Sequence, residues 1–493
     1  MKRTRPPALI ALLFLASCGP AGQDGGAPMV EEIPATTASE EALQQFRQGE
    51  ALVDAARPME ARSFFRRAVE LDPSFSYAYV NMPALSAAEF EEQLRNAQAG
   101  VEGKSEGERL LVEVTAALWD NDTEAALRLA QQLVEAYPSS PRAWLTLAGI
   151  QAGQNDHEAA RASVGKALEL DPDMPAAHRT QGYSYLFSDP TDHALAVSHM
   201  ERLVEIQPGE ATAHEALGDA CRGLGDLERA RSEYSAAVEL DPSLGTAILK
   251  KGHINSFLGR YAEARADYDA GIAAATVENK ANYSNYRTFV HLYEGNPEGA
   301  LMELGDVVAM TEEVGMQEDQ IPGAKVFALT NAATIALHHG MTEETREILD
   351  ERTRQLELIA ATIADADFER RQKANIALWE GQLAARQGKY ELARQMAETN
   401  RSLLEADANP RRFEGYHGLL GLIALEQEDY EQAAAELRQS TLAVEYIKYL
   451  LALALEGAGQ TEEARRLFRE VGNYNFNSVG FALVRKDALA RAG

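Results

Sequence analysis

Two cysteines, ten histidines and 76 acidic side chains are the raw material for chemistry in this 493-residue chain. Cys18 and Cys221 stand in unlike surroundings, so no disulfide framework is expected. Cys221 falls inside a helical pattern and reads as a small buried hydrophobe, not a reactive thiol. His338 and His339 are adjacent, and neighbouring side chains on a helix point in different directions, so they do not share a metal. The other histidines lack ligand spacing. No Walker-type Gly-rich loop with Gly-Lys-Ser/Thr, no H-E-x-x-H zinc helix and no nucleophile elbow of the G-x-S-x-G type is expected. Most Asp and Glu residues read as solvated helix faces. The net charge of −29 repels nucleic-acid phosphates, and no basic patch interleaved with aromatics offsets it. Catalysis, a cofactor, a metal and nucleic acid are therefore not expected.

One residue still points to chemistry. Lys2, Arg3 and Arg5 precede an apolar run from Ala8 to Leu15, too short for an ordinary membrane span. Leu15-Ala16-Ser17-Cys18 follows at once and resembles the lipobox of bacterial lipoproteins at all four positions. The resemblance implies cleavage after Ser17 and lipid on Cys18, making residues 1–17 a signal peptide. Several acyl chains on one cysteine would anchor firmly, each buried methylene contributing about 0.8 kcal/mol. The mature chain would be still more acidic, so the lipid and not charge would hold it at an anionic bilayer. Gly19 stands where lipoproteins retained in the inner membrane carry aspartate, which points to the outer membrane, facing the periplasm. Residues 18–39 contain Pro20, Gly25-Gly26, Pro28 and Pro34 and are expected to be a flexible tether.

The body that such an anchor would carry is repetitive. RRAVELDP (66–73), GKALELDP (165–172) and SAAVELDP (235–242) recur. Pro138, Pro172, Pro208 and Pro242 follow one another at about 34 residues. In the stretch from Ala211 to Pro242, a first helix carries Leu217, Gly218 and Cys221. Gly223-Leu224-Gly225-Asp226 makes the turn, and a second helix carries Ala230, Tyr234 and Ala237. This is similar to the tetratricopeptide repeat at nearly every signature position. Small residues at the crossings let the helices approach, the tyrosine fills the gap to the next pair, and the proline ends the second helix. Neighbouring pairs bury one another's apolar faces.

The resemblance implies an all-α fold, a right-handed α-solenoid of antiparallel helix pairs. The regular array is expected over residues 40–314 and a more divergent one over 315–476. There Gly381 and Gly421 take the close-packing role, and the pattern loosens around Gly315, Pro322 and Gly323. The segment from Ser74 to Glu106 reads as a degenerate repeat or an insertion. Residues 477–493 read as a capping helix made polar by Arg485, Lys486 and Asp487.

In tetratricopeptide arrays the first helix of each repeat lines a groove. Carried over residue by residue, this places Arg179, Tyr183, Phe187, Asp219, Arg222, His253, Phe257, Phe289 and Tyr293 there as partner-binding positions. Aromatics and arginine are common anchors, although Phe187, Phe257 and Tyr293 also sit where they could simply pack near inter-helix turns. The expected function is a membrane-anchored scaffold or adaptor that binds other proteins or extended peptides at the bacterial envelope. The alternative is a peptide- or solute-binding subunit of an envelope transport or export system, which needs an enclosed pocket.

Overall fold

The computed structural model describes residues 32–493, so Cys18 and the signal segment lie outside the described residues. Among the described residues all regular structure is helical, in twenty-five α-helices. The fold is an α-solenoid of antiparallel pairs, as the repeats imply. The helices form two compact units that divide between Leu224 and Gly225.

The first unit contains the pairs α1 (Glu40–Asp54) and α2 (Pro58–Leu71), α3 (Ser76–Asn81) and α4 (Ala87–Ala99), α5 (Glu106–Trp119) and α6 (Thr123–Ala136). These are followed by α7 (Pro141–Gly153) and α8 (His157–Leu170), α9 (Pro175–Phe187) and α10 (His193–Ile206), and lastly α11 (Ala211–Leu224). The second unit opens with α12 (Leu227–Leu240). Its pairs are α13 (Gly245–Phe257) and α14 (Tyr261–Ala274), α15 (Val277–Glu294) and α16 (Pro297–Glu313), α17 (Ile321–His338) and α18 (Thr342–Ile363). Then come α19 (Ala366–Arg386) and α20 (Tyr390–Leu404), α21 (Glu414–Glu426) and α22 (Tyr430–Leu437), α23 (Glu445–Gly457) and α24 (Thr461–Gly472), and finally α25 (Val479–Arg491).

Two local devices repeat. At the turn inside a pair the chain passes through a left-handed residue: Asn155 at φ 62°, Gly295 at φ 80°, Gly340 at φ 70°, Glu428 at φ 59°. The next N–H then reaches back to the first helix, as Asp156 does to the Gln151 carbonyl at 2.9 Å and Asp429 to Ala424 at 2.9 Å. This closes orphan carbonyls at the helix end. The residue that follows the left-handed one commonly caps the second helix. Asp122, Asp156, Asn296 and Asp429 each accept from a backbone N–H three residues on. Between pairs, the recurrent Leu-Asp-Pro has its own logic. The Asp72, Asp171 and Asp241 carboxylates accept from the N–H two residues on at 2.9–3.1 Å, forming a turn across the proline.

Small residues sit where helices cross. A Cβ on Gly182 would lie 2.7 Å from the Met200 methyl, and one on Gly421 would lie 2.5 Å from Leu437. Ala230, Tyr234 and Cys221 are buried, as their pattern implied.

The division and the tether differ from those read off the sequence, and the segment 74–106 takes the first of its two readings. The loosened pattern at Gly315 is not a division, because α16 and α17 pack directly on each other and share one core of Leu304, Val307, Ala328 and Ala332. The division falls inside the most regular repeat instead, with α11 ending one unit and α12 opening the next. The segment 74–106 joins the stack as the short pair α3 and α4. Part of the expected tether is docked: Ile33 is buried, the Thr36 N–H donates to the Glu108 carboxylate at 2.9 Å, Lys104 donates to the Thr36 carbonyl at 2.8 Å, and the Thr37 hydroxyl donates to Asp72 at 2.6 Å. One apolar anchor and a few backbone hydrogen bonds order a proline-containing segment that composition alone assigns to a flexible tether.

Candidate partner-binding faces

First helices of successive pairs touch one another: α3 with α5 and α9 with α11 in the first unit, and α13, α15, α17, α19, α21 and α23 in sequence in the second. In the second unit they form a continuous inner wall and in the first unit two shorter stretches of one, and side chains on these faces are the ones a ligand would meet.

In the first unit the wall is polar and partly occupied. Arg179 donates to the Asp54 carbonyl at 2.7 Å, and the Thr212 hydroxyl donates to the Ala55 carbonyl at 2.6 Å. Tyr183 donates to Asp219 at 3.3 Å and stacks at 5.9 Å on Phe187, which stays 57% exposed. Asp219 and Arg222 are buried and paired with each other at 3.3 Å. The sequence reading missed a neighbouring cluster in which Arg142 lies 4.0 Å from Glu50 and 3.9 Å from Asp54. Glu50 and Arg142 border a cavity of about 130 Å³, lined also by the docked segment at Glu32, Ile33, Pro34 and Ala35. Burial pushes the Glu50 carboxyl up to about 7, opposed by the Arg142 charge. The signal in the sequence was the spacing of Glu50 and Asp54, one turn apart on a helix.

In the second unit the inner wall is covered by the chain's own end. The helix α25 packs on α24, as a cap does, but also on α15, α17 and α23. Asn477, just before it, is the hub. Its side-chain amide N–H lies 3.1 Å from His253 Nδ1 and 3.3 Å from the Tyr268 hydroxyl, and its oxygen accepts from the Tyr293 hydroxyl at 2.8 Å. His253 Nδ1 also faces the Tyr268 hydroxyl at 2.7 Å. Burial holds the Tyr268 and Tyr293 phenols above the ordinary tyrosine range, so both remain protonated donors.

One helical turn further on, Phe481 is fully buried and meets Phe257 edge-on at 5.5 Å. Another turn on, the Arg485 guanidinium stands 5.2 Å over the Phe257 ring and donates to the Phe257 carbonyl at 3.3 Å. Burial lowers the Arg485 pKa, with Tyr293 and Tyr261 opposing it. Nearby, His338 Nδ1 lies 2.9 Å from the Tyr446 hydroxyl, and burial brings His338 down to about 4.

The structure thus brings His253, Phe257 and Tyr293 together on one wall, beneath α25. Phe289 stands apart from this group, buried against Tyr286 at 5.6 Å. The polar stretch Arg485-Lys486-Asp487 drew the capping assignment. The spacing that places the helix across the wall is Asn477, Phe481, Arg485, with Val484 and Ala488 buried beside them.

Residues Gly103-Lys104-Ser105-Glu106-Gly107 do have the G-x-S-x-G spacing of a hydrolase nucleophile elbow, which corrects the expectation that no such serine is present. Ser105 is instead the N-cap of α5, in a reciprocal capping box with Glu108. Among the described residues no group of three or more His, Cys, Asp and Glu side chains is arranged to hold a metal ion.

The family model for the tetratricopeptide repeat matches residues 111–175, 190–244 and 419–478. Anaphase-promoting complex subunit 3 of Schizosaccharomyces pombe is 22% identical over 224 residues, 45% of this chain and 33% of that one. The small glutamine-rich tetratricopeptide repeat-containing protein 2 of Mycosarcoma maydis is 33% identical over 97 residues, 20% of this chain and 26% of that one. The chain spans about a third or less of the length of the curated relatives it matches. Among solved structures, the APC/C hetero-tetramer Cut9–Hcn1 covers 91% of this chain and 76% of its own, at 14% identity and a TM-score of 0.40.

Proposed function

We propose that this chain, which carries tetratricopeptide repeats, is a protein–protein interaction scaffold held at the bacterial cell envelope by lipid on Cys18. The observation that carries the scaffold reading is the inner wall, where first helices of successive pairs line up and present aromatics, arginines and buried hydrogen-bonding groups. Such walls bind by surface complementarity, with a few anchors supplying most of the energy. Extended or helical segments of other proteins fit a wall of this kind better than a small solute does.

The membrane part of the reading rests on the sequence Leu15-Ala16-Ser17-Cys18 behind a basic and then apolar leader. Among the described residues no helix is long and apolar enough to cross a membrane, so attachment would depend on the lipid. Gly19 favours the outer membrane. Fractionation of cells expressing Cys18→Ser tests this directly. The variant is expected in the soluble fraction while the parent sediments with membranes; a variant that still sediments removes the anchor from the proposal. Crosslinking in intact cells tests the scaffold. A defined set of attached proteins is expected, and recovery of none would overturn it.

A further inference from the structure

We infer that the inner wall of the second unit is a helix-binding site whose resident ligand is the chain's own C-terminal segment, and that a partner enters by presenting a basic helix that carries an aromatic and an arginine four residues apart and is led in by an asparagine. The inference rests on the scaffold reading and names the partner chemistry for one of its faces.

Three observations carry it. First, the contacts are those of recognition. A plain cap buries one apolar side on the last pair, and Phe468, Val471 and Ala488 do that here. The segment from Asn475 to Arg485 goes further and meets helices far from the end of the stack: His253 and Phe257 on α13, Tyr268 on α14 and Tyr293 on α15. Phe481 and Arg485 lie one turn apart on α25, and Asn477 stands just before its N-cap Ser478, so one short stripe of chain makes all of these contacts.

Second, the fit is good but incomplete. The Arg485 guanidinium rests on an aromatic face and one carbonyl at 3.3 Å, with only a long 3.5 Å contact to Asn475, and its buried Nε has no hydrogen-bond partner. A buried cation without a carboxylate is costly, which lowers the free energy holding the segment in place. The link from α24 into α25, residues 473–478, has no regular structure and passes through Asn475 at φ 59°. The stripe can leave without unwinding another helix.

Third, the charge is complementary. Residues 475–493 carry three basic side chains and one acidic, in a chain of net charge −29. A basic helix is thus the kind of ligand that the rest of the protein attracts.

A tethered segment competes with any incoming helix at an effective concentration in the millimolar range. The test uses a fluorescein-labelled synthetic peptide of residues 473–493 and the full-length protein. The wild-type chain is expected to bind it weakly. Full-length Phe481→Ala/Arg485→Ala, whose own segment is weakened, is expected to bind it about tenfold or more tightly. A peptide carrying the same two substitutions is expected to bind neither.

A locked form guards against a variant that fails to fold. A Cβ on Gly480 would lie 3.0 Å from the Tyr446 Cβ, so a shift of about half an ångström would bring the pair to the roughly 3.5–4.5 Å that a disulfide spans. Oxidised Gly480→Cys/Tyr446→Cys should therefore hold α25 down and bind no peptide, and reduction should restore wild-type binding. Equal peptide affinity for the wild type, the weakened variant and the oxidised lock would overturn the inference. If that result came while crosslinking in cells still captured partners, the scaffold reading would stand and its entry point would lie elsewhere.

Discussion

Arg179 donates a 2.7 Å hydrogen bond to the main-chain carbonyl of Asp54, 125 residues earlier. Asp54 is the last residue of α1, so the acceptor is one of the carbonyls that a helix end leaves without an internal partner. A cation there also meets the negative end of the helix dipole. The Thr212 hydroxyl treats the next carbonyl, Ala55, in the same way at 2.6 Å, and Arg57 faces Glu210 at 3.6 Å. Three side-chain contacts thus fasten the turn between α1 and α2 to α9 and to the start of α11. A residue read from the sequence as a partner anchor is, in the folded chain, engaged by the chain itself.

Arg179→Met should loosen that tie. A hydrogen bond to a charged group contributes about 1.5–3 kcal/mol, and methionine keeps most of the packing. Amide exchange over residues 40–54 should quicken while exchange in α5 to α8 stays as it was. Unchanged protection of α1 would mean that the Asp54 contact contributes little.

The two imidazoles of His178 and His199 predict a pH dependence. Their Nδ1 atoms lie 3.2 Å apart, and His178 Nε2 donates to the Pro172 carbonyl at 2.9 Å, so in the neutral pair His199 Nδ1–H donates to the bare His178 Nδ1. Burial is the main cause that lowers both pKa values. It brings His199 to about 4, with the facing His178 adding to it, while Arg202 lowers and Asp171 and Asp173 raise His178. Tyr185 stacks on His199 at 5.9 Å.

The unfolded chain takes up these protons first as pH falls. The stability they carry is therefore complete above about pH 6.5 and is lost on the way down to about 4. Partial exposure screens the effect, so the loss should be about 1–2 kcal/mol. His199→Gln should flatten that part of the curve of urea midpoint against pH, and a parallel curve would show that the pair does not titrate in this window.

Two glycines should respond in opposite ways. A Cβ on Gly421 would meet Leu437 at 2.5 Å, whereas one on Gly165, in the middle of α8, meets nothing within 4 Å. Gly421→Ala should lower stability by about 1–3 kcal/mol through overpacking. Gly165→Ala should raise it by about 0.5–1 kcal/mol, because alanine loses less backbone freedom in a helix. Thermal melts that shift in the same direction for both variants would contradict the helix crossing at Gly421.

The repeat is legible in the amino-acid sequence because each of its parts answers to a neighbour. Gly182 answers to Met200 and Gly421 to Leu437, both within a single pair, and Asp171 caps its own turn. Periodicity, turn residues and helix stops are local quantities, and a string of amino acids displays them directly.

The covering of the inner walls could not be read in this way. Asn477 meets His253 across 224 residues, and Ile33 packs beside Gly107 and Tyr137. Nothing in the composition of either terminal segment says which distant wall it will cover. The division between Leu224 and Gly225 was hidden for the same reason, since the repeat pattern runs through it without a break. Helix identity depends on residues three and four apart, whereas the occupant of a groove depends on how far the stack has turned when the chain returns to it. Only the folded chain carries that distance.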